Sequence, residues 1–170
     1  LPDDVALLSP SADPKTHTNE GLVEKDWVIG AAMMFNLKAM KPIGFFDENI
    51  FLFFEETDLC IRIRKARNRI FLDSNLYIEH LYRQSSTPSP STEALKDWHY
   101  AWSKMHLHNK HRSNLGKLNP HKVALNYLLK YLFARHPIKK QRYKYRYLGS
   151  KAFIHGTSAF RSTGQPHTPN

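Results

Sequence analysis

Residues 44–66 read GFFDENIFLFFEETDLCIRIRKA, and the change of character at their middle decides what kind of fold the chain can make. Residues 50–54 form a short, aromatic-rich apolar run of strand length, and three acids, Glu55, Glu56 and Asp58, follow within four positions. Leu59, Ile63 and Ala66 then recur at i, i+4 and i+7, the spacing of one face of an amphipathic helix. The pattern predicts a strand ending at Phe54 and a helix starting at Glu55, with the acids at the junction. Acids in a first turn, with Arg62, Arg64, Lys65 and Arg67 toward the far end, also complement the helix dipole, which is a purely structural reason for their placing. That reason does not use their position directly behind Phe53 and Phe54. A carboxylate partly desolvated there has a raised pKa and becomes a better base.

Working outward, residues 5–8 are a second strand-like run, followed by a Ser/Asp/Thr/Asn-rich loop up to Glu24. Asp26-Trp27-Val28-Ile29-Gly30-Ala31-Ala32 predicts a strand leading into small residues, where the backbone lies bare enough for a ligand or a neighbouring element to approach closely. Tight core packing explains the same residues equally well. Met33, Met34 and Phe35 read as core filler. Downstream, residues 76–78 are strand-like and end at His80, which on residue type alone is a structural or exposed histidine. Residues 82–92 are rich in Ser and Pro and read as a mobile connection. From Glu93 onward helical spacing dominates, with Leu95, Trp98 and Trp102 on one face, and the tail after Arg161 has the composition of a disordered segment.

The 170 residues are 41% hydrophobic and 12% aromatic, enough to bury a core, and no run approaches the roughly 18 apolar residues of a membrane span. With no signal peptide at its start, a cytoplasmic location is expected. The single cysteine, Cys60, lies just off the apolar helix face and reads as a packed thiol. His99, His106, His108 and His111 lie on helix-like basic sequence at spacings that make no coherent zinc site.

Taken in order, WVIGAAMMF, IGFFDENIFLFFEETDLCIRIRKA and LYIEH with Ser85 and Ser86 beyond it resemble the second half of the catalytic domain of family 2 glycosyltransferases, and most closely the rhamnosyltransferase-like enzymes of bacterial polysaccharide synthesis. The resemblance covers about residues 4–86. It implies an α/β fold, part of the GT-A nucleotide-diphospho-sugar transferase architecture with a mixed sheet flanked by helices and a helical C-terminal extension. The implied domains are residues 1–92 for the transferase part, 93–160 for a basic helical extension and 161–170 for the disordered tail. The nucleotide-binding half, with its Asp-x-Asp motif, is expected upstream of Leu1.

The implied reaction is inverting transfer of a hexose or deoxyhexose, rhamnose among them, from a nucleotide sugar to a glycan or lipid-linked acceptor. Glu56 inherits the place of the base, although the family commonly has Asp there and Glu carries its carboxylate one methylene farther out. The choice between Glu56 and Glu55 stays open. The resemblance also implies substrate contacts from Asp26, Trp27, Gly30, Ala31, Asp58 and Arg83, with Trp27 as a sugar-stacking platform. His80 would be a ligand of a divalent metal, Mg2+ or Mn2+, at the donor diphosphate.

The net charge of +10 requires a negative partner. Lys, Arg and Tyr interleave between residues 130 and 151, with Arg142, Lys144 and Arg146 alternating with Tyr143, Tyr145 and Tyr147. This composition suits an anionic membrane surface and places the chain as a peripheral protein at the inner face of the cell membrane. Nucleic acid is the less favoured partner, since no module signature is present. The alternatives to the transferase are a basic nucleic-acid-binding module whose acids merely cap a helix, and a transferase remnant without catalysis.

Overall fold

The computed structural model describes residues 2–18, 20–80 and 87–169. The chain divides into two compact units, one of residues 1–47 and 55–85 and the other of residues 48–54 and 86–170. The first is a mixed α/β unit. Its strands β1 (Val5–Ser11), β2 (Leu22–Glu24), β3 (Met34–Phe35) and β4 (Arg69–Tyr77) form a four-stranded sheet in the order β2-β4-β1-β3. β1 and β4 are parallel, with Leu7 opposite Ile70 and Ser9 opposite Leu72, and the two outer strands run antiparallel to their neighbours.

Two helices accompany this sheet, the single turn α1 (Leu37–Met40), capped by the Asn36 side chain, and α2 (Glu55–Lys65). The predicted helix start at Glu55 is the observed one. Leu59 and Ile63 are fully buried and join Ala6, Leu7, Met40 and Ile70 in the core of the unit. Ala66, expected on the same face, is exposed, because the helix ends one residue before it and Arg67 turns into the left-handed region at φ 59°. Cys60 is buried as expected.

The second unit is helical: α3 (Pro90–Lys110), the short α4 (Arg112–Leu115), α5 (Pro120–Phe133) and α6 (Pro137–Ile154). Three of these helices carry proline at the N-terminus, where the missing N–H costs nothing, and Ser89 and Asn119 cap α3 and α5 by accepting from the amides of Thr92 and Lys122. Part of the predicted Ser/Pro connection is therefore the first turn of α3. α6 packs on both α3 and α5. The core holds Trp98, Trp102 and Ala159, with Tyr145, Leu148 and Phe153 against them. Among the described residues no helix is long and apolar enough to cross a membrane.

Three expectations are corrected. Residues 50–54 form no strand: Phe53 and Phe54 both have positive φ, 68° and 69°, which a strand forbids. Their rings, with Phe51, find partners on α3 instead. Phe51 lies 4.8 Å from the His99 ring, Phe53 and Phe54 lie 5.6 and 5.3 Å from Tyr100, and Ser103 donates to the Leu52 carbonyl at 2.8 Å. Residues 26–29 are likewise not a strand, since β2 ends at Glu24 before them. The tail is ordered through residue 169. His167 donates its amide to the Ala159 carbonyl at 2.8 Å, Phe160 bridges to Pro166, and the His167 ring stacks on Trp98 at 4.6 Å. Buried aromatic surface on α3 holds these residues in place despite their polar composition.

Candidate functional site

The parallel pairing of β1 and β4 brings their carboxyl ends to one edge of the sheet, the edge at which open α/β sheets bind ligands. A cleft of about 350 Å³ opens at the end of β1, lined by Pro10 of that strand, Ala12 and Asp13 after it, Leu72 from the middle of β4, and Lys25, Trp27, Val28 and Ile29. Trp27 is 59% exposed, so its indole face is free for a flat partner. Asp13 and Lys25 escaped the sequence reading. Asp13-Pro14 reads as a turn, and the Asp13 side chain does accept the Lys15 amide, but only the fold shows that this turn borders a cleft.

The segment from Asp26 to Gly30 runs along α2. Asp26 pairs with Arg64, the Cys60 thiol hydrogen-bonds the backbone of Val28, and a Cβ placed on Gly30 would lie 3.4 Å from that of Glu56. Positions 64, 60 and 56 are one helical stripe at i, i+4 and i+8, met by every second residue of an extended segment. This arrangement brings Asp26 and Gly30 of one predicted group against the helix that carries Glu56 of the other, while Trp27, Val28 and Ile29 line the cleft. Ser9 anchors the far end by donating to the Ala32 carbonyl at 2.9 Å.

The two glutamates differ. Glu56 lies against Gly30. Burial pushes the Glu55 carboxyl up from its ordinary 4.5, the neighbouring Glu56 charge adds to the rise, and its own backbone amide opposes it. Its Oε2 is buried with no hydrogen-bond partner among the described residues. The desolvated carboxylate expected at this junction is thus present, with no strand behind it.

Asp58 does not belong with them. It is fully buried and ion-paired to Arg62 at 2.8 Å, and Arg62 also donates to the carbonyls of Ile43, Gly44 and Phe45. The pair ties α2 to the turn after α1, so Asp58 is a structural residue, closed to an acceptor sugar. Asp26 is open to solvent, and its pairing with the half-exposed Arg64 contributes little to stability.

His80 follows β4 at the same sheet edge as the cleft, two residues after Ile78 donates its amide to the Ser11 carbonyl at 2.9 Å. Among the described residues no group of three or more His, Cys, Asp or Glu gathers into a metal site. Arg83 lies outside the described residues. Comparison of the chain with family models, curated proteins and solved structures gave no match.

Proposed function

We propose that the chain carries the acceptor side of an inverting sugar transferase, with the first turn of α2 supplying the base and the Trp27 cleft holding a sugar. The observation that supports this reading is the course of residues 26–30 along α2. It sets an exposed indole on the cleft and, where the same segment meets α2, a bare backbone at Gly30 against Glu56.

In that reaction the acceptor hydroxyl gives its proton to a carboxylate as its oxygen bonds to the anomeric carbon. The bond from that carbon to the nucleoside diphosphate breaks on the opposite face. Glu56 takes the proton, because its side chain lies against the segment that borders the cleft. Glu55 stands beside it as a partly desolvated neighbour whose own carboxyl is raised. The nucleotide sugar, the glycan or lipid-linked acceptor and a divalent ion at His80 are further elements of the proposal.

Glu56→Gln is expected to lower turnover of a nucleotide sugar with its acceptor by about 10²–10⁴-fold while donor binding is kept, the usual scale for losing a positioned base. Collapse in Glu55→Gln with near-normal turnover in Glu56→Gln transfers the role to Glu55. Full activity in both variants removes the mechanism.

A further inference from the structure

Charge is divided unevenly along the chain. All 15 Asp and Glu lie at or before Asp97, whereas 14 of the 25 Lys and Arg lie in residues 98–170, where there is no acid. The alternating cations and tyrosines of α6, expected to face a membrane, are largely engaged within the helical unit. Arg146 donates to Asp97 at 2.9 Å and lies over the Tyr100 ring, Arg142 approaches the same carboxylate at 3.9 Å, and Tyr143, Tyr145 and Tyr147 are half-buried.

The unsatisfied surface lies on α5. One face buries Ala124 and Tyr127. The opposite face presents Leu125, Leu129, Leu132 and Phe133, at i, i+4, i+7 and i+8, all exposed and Phe133 by 79%. Ile138, on the first turn of α6, is also exposed, but it borders a groove with Pro88, Glu93 and Asp97 at the start of α3. Lys122, Lys130, Arg135, Lys139 and Lys140 are exposed around the α5 face.

We infer that the exposed face of α5 is a docking surface for an anionic lipid bilayer, with Leu125, Leu129, Leu132 and Phe133 entering the boundary between headgroups and acyl chains and the surrounding cations meeting the headgroups. Charge selects this occupant. A second copy would press the same acid-free, basic surface against itself, and like charges repel. A nucleic acid would satisfy the cations and leave the leucines in water, whereas a bilayer takes both sets of groups at once. The inference does not rest on the transferase reading.

Sedimentation of the full chain with vesicles of 30% phosphatidylserine in phosphatidylcholine tests it. Binding is expected to need the anionic lipid and to weaken as salt rises. Lys122→Gln, Arg135→Gln and Lys139→Gln together are expected to weaken it about a hundredfold, at about fivefold per cation. Leu129→Ser with Phe133→Ser is expected to abolish it while the circular dichroism of the folded chain stays unchanged, since both side chains already lie in water. No binding to anionic vesicles, equal binding to neutral ones, or tighter binding to single-stranded RNA overturns the proposal. So does a dimer in sedimentation equilibrium that the Leu129/Phe133 variant dissociates, which makes the face a contact between copies.

Discussion

Burial shifts Glu55 up and His99 down, so the two titrate against the fold from opposite ends of the pH scale. A carboxyl raised from 4.5 binds its proton more tightly folded than unfolded. Its stabilising contribution is full below pH 4.5 and is lost as pH rises through the raised value. Glu55→Gln is therefore expected to raise the unfolding temperature at pH 7.5 and to change it little at pH 4, even where it costs activity; equal shifts at both pH values would show that the carboxylate is not the cause. His99 is fully buried, donates from Nε2 to the His167 carbonyl at 3.0 Å, and is lowered from 6.5 to about 4, chiefly by burial. The unfolded chain takes up the proton first on acidification, so stability present above pH 6.5 drains away between there and about pH 4. His167, itself lowered by burial and by Arg161, pulls the same way. His99→Gln keeps a donor for the carbonyl and is expected to flatten the acid side of a plot of unfolding temperature against pH. An unchanged slope would assign the acid loss to other groups.

Among the elements, α3 and α6 approach each other closely at Gly149. A Cβ on Gly149 would fall well inside van der Waals contact distance of the Trp98 carbonyl oxygen, and because the obstacle is backbone it has no rotamer by which to retreat. Gly149→Ala is expected to cost about 1–3 kcal/mol or more by overpacking, despite alanine's better helix propensity, and thermal melts followed by circular dichroism will show it as a fall of several degrees. Helix α2 was legible in the sequence because Leu59 and Ile63 repeat on its face and its charges follow its dipole. β1 was legible as a short apolar run between polar stretches. Residues 50–54 have the same local appearance and form no strand, since aromatic partners on α3, some fifty positions away, decide their backbone. Asp58 was legible as an acid in a first turn; that its partner is Arg62, one turn on, separates it from Glu55 and Glu56. The stripe of residues 56, 60 and 64 against 26–30 left no sign in either segment alone, because each reads as an ordinary helix face or an ordinary extended run.

At the scale of the molecule, the chain passes from one unit to the other after residue 47, returns after residue 54, and leaves again after residue 85. The helical unit therefore includes a seven-residue insert that precedes the whole of the sheet unit's last helix and strand. Its contacts, from Phe51 to His99 and from Leu52 to Ser103, span about fifty residues of sequence and so carry the loop-closure cost of non-local pairing. Neither unit is one uninterrupted length of polypeptide, so no single breakpoint in the gene separates them, and a recombination that exchanged the basic helices for another module would strand three phenylalanines in the remainder. The interleaving makes the two halves heritable only as a pair.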